Sequence, residues 1–120
     1  MNRTTFDFGN GPVPAHKHPN GGGWVADSAT VADTAYVGPD ALVFDNARVF
    51  DNARVWDNAR VLDNARVLHT SQVYDNAVVC SDAKVFGNAQ VYGDAWVYGD
   101  AEEDMFIEIN GKRYKLVEVE

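Results

Sequence analysis

The chain lacks disulfide chemistry, long apolar runs and any excess of cations. Its single cysteine, Cys80, excludes an internal disulfide, and no zinc-ligand spacing surrounds it, so a reducing cytoplasm is the expected compartment. Hydrophobic residues make up 46% of the 120, yet they are dispersed. No run approaches the roughly 20 apolar residues that a membrane-crossing helix needs. The opening MNRTTFDFGNG does not have the charged-then-apolar order of a signal peptide. Ten Lys and Arg against eighteen Asp and Glu leave a net charge of −8, which argues against direct binding to nucleic acid or anionic membranes. The length suits one domain.

The charge is uneven. Residues 43–66 balance Asp45, Asp51, Asp57 and Asp63 against Arg48, Arg54, Arg60 and Arg66. Acidity gathers in Glu102, Glu103, Asp104, Glu108, Glu118 and Glu120. The repeat body is neutral only over residues 43–66.

That body has a period of six. From Val25 to Glu102 it reads VADSAT VADTAY VGPDAL VFDNAR VFDNAR VWDNAR VLDNAR VLHTSQ VYDNAV VCSDAK VFGNAQ VYGDAW VYGDAE. Val opens every unit, and Ala holds the fifth place except where Ser71 stands. A helix advancing about 100° per residue would scatter valines six apart over three directions and form no apolar stripe. An antiparallel meander turning at Asp-Asn would set Val43 opposite Arg48 on one face. One straight strand would put Val43, Asp45 and Ala47 on the same side. The remaining solution is a short strand and a corner: Ala47, Arg48, Val49 and Phe50 alternate in, out, in, out, and Asp51-Asn52 bend the chain. Asp, Asn and Gly suit such a bend because they tolerate left-handed backbone. A single unit cannot bury its Val and Ala, so the units must coil and stack.

The pattern resembles the hexapeptide-repeat, left-handed β-helix family, and the leader HKHPNGGGW before VADSAT looks like that of short phage and bacterial members with no assigned activity. The resemblance implies three units per triangular coil, so that residues 18 apart stack, for instance Val25-Val43-Val61-Val79-Val97. The expected fold is all-β, a single-domain left-handed parallel β-helix of about four coils over 25–102. Residues 1–24 form an irregular N-terminal extension that covers the first coil, anchored by Phe6, Phe8 and Trp24. Residues 103–120 form a C-terminal β-hairpin cap, because Asn110-Gly111 joins two alternating runs. Its register pairs Ile109 with Lys112, Glu108 with Arg113 and Ile107 with Tyr114, leaving Met105, Ile107, Ile109, Tyr114 and Leu116 on one apolar face. Such caps protect open solenoid ends from aggregation.

Many hexapeptide-repeat proteins are acyltransferases with a histidine base near an intersubunit cleft, and the related γ-class carbonic anhydrases bind metal through three histidines. Acyl transfer is thus the enzymatic alternative, with His16, His18 and His69 as candidate bases, although His69 at a corner usually held by Asp reads first as a surface substitution; His16 and His18 lie outside the repeats, so the metal-ligand positions of the carbonic anhydrases are not matched. The corner Asp rows are explained by turn hydrogen bonding rather than by calcium, whose solenoid repeat is a glycine-rich nonapeptide. No catalytic residue, metal or cofactor is expected. An acidic rod that mimics DNA is a rival reading, but Arg54 and Arg60 partly cancel the field of the neighbouring Asp residues.

The second residue of each unit should face outward, exposing Phe44, Phe50, Trp56, Leu62, Leu68, Tyr74, Cys80, Phe86, Tyr92 and Tyr98 beside Arg48, Arg54, Arg60 and Arg66. Stacking sorts them into Phe44-Leu62-Cys80-Tyr98, Phe50-Leu68-Phe86 and Trp56-Tyr74-Tyr92, with Arg planes able to lie on the rings. A lone solenoid has no need of such rows, and aromatic residues with Arg are enriched at interfaces. The expected function is therefore a non-enzymatic scaffold that self-associates, as a dimer or trimer, and presents these faces to a host protein. A nucleotide-like ligand held by stacking and phosphate pairing is the small-molecule alternative.

Overall fold

Each six-residue unit makes one two-residue strand and one tight turn. In the unit from Val49 to Arg54, the Phe50 carbonyl accepts the Ala53 N–H at 3.3 Å to close the turn, and Arg54-Val55 forms the next strand. The computed structural model describes residues 4–99, together with the strand backbone of 105–109 and 112–116. Its N-terminal strands are β1 (Thr5–Asp7), β2 (Pro12–Lys17) and β3 (Trp24–Ala26). Then come the repeat strands β4 (Thr30–Val31), β5 (Tyr36–Val37), β6 (Leu42–Val43), β7 (Arg48–Val49), β8 (Arg54–Val55), β9 (Arg60–Val61) and β10 (Arg66–Val67). They continue as β11 (Gln72–Val73), β12 (Val78–Val79), β13 (Lys84–Val85), β14 (Gln90–Val91) and β15 (Trp96–Gly99), and the chain ends in β16 (Met105–Ile109) and β17 (Lys112–Leu116).

Every third repeat strand pairs in parallel, giving three sheets. The first runs β1-β2-β3-β6-β9-β12-β15-β16-β17, the second β4-β7-β10-β13 and the third β5-β8-β11-β14. Register is 18 residues throughout, with Val43 on Val61, Val49 on Val67 and Val55 on Val73. The alternation read from the repeat follows: Ala47 and Val49 are fully buried, Arg48 is exposed, and the Val and Ala columns fill the narrow core. Ser71 fits the Ala column because its hydroxyl donates to the Leu68 carbonyl at 2.6 Å, which satisfies a buried polar group.

The corners account for the aspartates. Asp45, Asp51, Asp57, Asp63, His69, Asp75 and Ser81 all have positive φ, between 56° and 62°, and Gly87 and Gly93 occupy the same place. The side chain also has a task. Asp51 Oδ2 accepts the His69 N–H at 3.1 Å, Asp63 Oδ2 the Ser81 N–H at 2.9 Å and Asp75 Oδ2 the Gly93 N–H at 3.0 Å. His69 fills the same role, since its Nδ1 accepts the Gly87 N–H at 2.9 Å. A corner N–H that points along the stack is thus satisfied by the preceding coil.

The N-terminal extension is more regular than its glycine and proline content suggests. β1 pairs antiparallel with β2, and β2 with β3, so the segment adds strands to the first sheet. The loop that follows covers the top of the third sheet: the Gly23 N–H donates to Val37 O and the Val37 N–H to Asn20 O, each at 3.0 Å. His18 is buried there, its Nε2 2.8 Å from the Ala35 carbonyl. A Cβ on Gly21, whose φ is +118°, would lie 2.1 Å from Val37 O, and one on Gly23 would lie 2.3 Å from Gly38 O. Only glycine permits that approach.

At the other end β16 pairs antiparallel with β15, and β17 with β16. The hairpin register places Ile109 beside Lys112, Glu108 beside Arg113 and Ile107 beside Tyr114, as the Asn-Gly turn predicts. The apolar face expected of its side chains lies outside the described residues.

Candidate binding face

The first sheet's outer row is largely covered by the chain itself. Phe8 stacks on Phe44 with centroids 4.8 Å apart, Phe6 stacks on Trp24 at 4.8 Å, and the two phenylalanines meet edge to face. Phe44 was expected to be exposed and is instead 6% exposed, because the β1–β2 hairpin folds over it. Cys80, expected at the surface, is likewise buried, with Sγ 3.8 Å from Val97 O. Burial pushes its thiol pKa above the ordinary value, while the Ser81 hydrogen bond opposes that shift and the Asp63 charge adds to it. Leu62 and Tyr98 are partly buried in this row.

The second sheet carries Phe50 and Leu68, partly buried, and Phe86, 37% exposed. Arg48 and Arg66 pair in register beside them.

The third sheet holds the most developed surface. Trp56 stacks on Tyr74 with centroids 4.6 Å apart and planes 11° apart, and Tyr74 stacks on Tyr92 at 5.6 Å and 15°. The spacing follows from parallel strands about 4.8 Å apart, which hold rings at equal positions in offset stacks. Tyr92 is 57% exposed. Above Trp56 the column stops, since the equivalent residue is Gly38.

The arginines face outward as the alternation implies. Among the described residues the single ion pair joins His16 Nδ1 to Asp27 Oδ1 at 2.7 Å, and the single cation–π contact is Lys17 over Trp24 at 5.6 Å. Arg48, Arg54, Arg60 and Arg66 are exposed and take part in neither. Their Asp neighbours are turned to backbone N–H groups along the stack, for example Asp57 Oδ2 to the Asp75 N–H at 3.3 Å. The guanidinium groups therefore remain available to a partner.

At the top of the third sheet an open cleft of about 590 Å³ is lined by Asn20, Thr34, Tyr36, Asn52, Arg54 and Trp56. Trp56 Nε1 is buried and has no hydrogen-bond partner among the described residues. Sequence reasoning missed the cleft because Asn20 reaches it from outside the repeats. The sign that was present is the first coil's small second residues, Ala26, Ala32 and Gly38, where later coils carry large ones. The three histidines stay apart, with His16 on Asp27, His18 under the loop and His69 in a corner. Among the described residues no cluster of three His, Cys, Asp or Glu could hold a metal ion, and none of their helices is long and apolar enough to cross a membrane.

A family model for the YdcK beta-solenoid repeat matches residues 89–101. The chain is a β-solenoid repeat protein. The matched stretch spans β14 and β15, at the C-terminal end of the solenoid. No curated protein and no solved structure matches the chain.

Proposed function

We propose that this β-solenoid is a non-enzymatic scaffold that self-associates, as a dimer or trimer, and presents its aromatic and Arg-bearing faces in a reducing cytoplasm. One observation carries the reading: the Trp56-Tyr74-Tyr92 column lies stacked on the outside of the third sheet, with Tyr92 more than half exposed. The rings are already ordered by the strands that bear them, so docking them costs little side-chain entropy. Flat aromatic surface with Arg nearby is the composition of interface centres. A second copy of the same column is a self-complementary partner, as a two-fold interface requires. The first sheet offers less, because the N-terminal hairpin already occupies Phe44.

The test is paired light scattering on the wild type and on Tyr92→Asp. The wild type is expected to run as an oligomer, and Tyr92→Asp as a monomer with an unchanged far-ultraviolet spectrum. An oligomer that survives Tyr92→Asp and Tyr74→Asp unaltered would remove this column from the interface.

A further inference from the structure

The cleft above Trp56 has a composition at odds with the rest of the surface. The chain carries a net charge of −8, with an acidic residue in nearly every repeat unit, yet among the described residues no carboxylate lines this space. Its one charged lining residue is Arg54, exposed and without an ion-pair partner among the described residues. Of the acids adjacent in sequence to its lining, Asp51 accepts the His69 N–H and Asp57 the Asp75 N–H, while Asp33, beside Thr34, is exposed. An unpaired guanidinium in a wall free of acids favours an anion, and its fork of donors suits phosphate.

The other walls favour a flat ring with polar edges. Trp56 and Tyr36 supply aromatic surface, and Gly38 leaves the column above Trp56 without a further ring. Asn20 gives its Nδ2 to the Ala35 carbonyl at 3.1 Å, which leaves its Oδ1 to accept from a ligand. Asn52 brings a second amide, with both a donor and an acceptor. Base edges are read by such amides, and base faces by such rings. The volume of about 590 Å³ falls within the range of small-molecule sites. Asn20 comes from the cap, so the repeats below cannot reproduce this lining.

We propose that this cleft, formed by the cap and the first two coils, binds a nucleoside monophosphate, with the phosphate on Arg54 and the base against Trp56 and Tyr36. This goes beyond self-association and is tested by a separate readout, since ligand heat and spectral shifts report the cleft while molecular mass reports the interface.

The experiment titrates the full chain with AMP, GMP, CMP and UMP separately, and with adenosine and ribose 5-phosphate, by calorimetry and by ¹H–¹⁵N spectra. At least one monophosphate is expected to bind and to shift the Trp56 indole resonance while leaving Trp96 in place. The matching nucleoside and ribose 5-phosphate should each bind at least about tenfold more weakly, since each lacks one half of the recognition. Arg54→Gln should weaken binding by about tenfold or more, whereas Arg66→Gln, at the same strand position on the second sheet, should not. Silence from all four nucleotides at millimolar concentration would overturn the proposal. So would equal losses from the two arginine variants, which would indicate unspecific charge attraction, or shifts confined to residues away from the cleft. Should Arg54→Gln fail to fold, the wild-type shift pattern and the nucleoside comparison decide.

Discussion

Asp63 Oδ2 accepts the backbone N–H of Ser81 at 2.9 Å, reaching from one coil to the corresponding corner of the next. Aspartate at the corner thus combines tolerance of positive φ with an acceptor placed for a donor 18 residues on. Asp63→Ala removes both and is expected to cost about 1–2 kcal/mol in urea unfolding. Asp63→Asn keeps an acceptor and the backbone tolerance, so it should cost less than half as much. Equal losses would show that the side-chain bond contributes nothing.

His69 makes the same contact with a different atom. Because Nδ1 accepts from Gly87, the imidazole proton must reside on Nε2. The ¹⁵N shifts of His69 should report that neutral tautomer. His69→Asp, which restores the prevailing corner residue, should be at least as stable as the wild type, and His69→Ala about 1 kcal/mol less stable.

The core and the outer row should respond differently on one strand. Val61 is fully buried and Arg60 is exposed. Val61→Ala is expected to lower stability by about 2–3 kcal/mol, and Arg60→Ala by no more than about 0.5 kcal/mol. Chemical denaturation of the two variants checks the contrast.

The cap should be sensitive to a single methyl group. Gly23→Ala drives a Cβ into the Gly38 carbonyl, and overpacking of this kind costs about 1–3 kcal/mol. Hydrogen exchange should accelerate first at the Gly23 and Val37 amides, which hold the loop to the third sheet.

Cys80 should be slow to alkylate. Burial raises its thiol pKa, so at any pH near neutrality its thiolate fraction is below that of a free cysteine. Iodoacetamide labelling should be slow in buffer and rapid in urea. Ionisation is disfavoured in the folded chain, so thiolate formation at alkaline pH draws the equilibrium toward the unfolded one.

The solenoid body was legible in the sequence because its cause is local and repeated. Val and Ala six apart admit one burial scheme, and the 18-residue register follows once three units close a coil. The hairpin register was legible for a similar reason, since Asn110-Gly111 aligns Glu108 with Arg113 without reference to the rest of the fold. What the sequence concealed depends on contacts with no period. Phe44 looks like Phe50, yet Phe8 covers only the former. His18 and the glycines after it read as loop, whereas their role is set by the approach of Val37 and Ala35 from another coil. The repeat spacing leaves Arg planes able to lie on rings of their own chain, but on the third sheet the rings stack on one another, and among the described residues no Arg lies over a ring.

Whether the exposed column is an interface is decided most directly by sedimentation equilibrium of the wild-type chain over a range of concentrations. Self-association through Trp56, Tyr74 and Tyr92 predicts a mass of two or three times the 13.2 kDa chain, falling to one on dilution. A mass of 13.2 kDa at every concentration would contradict it.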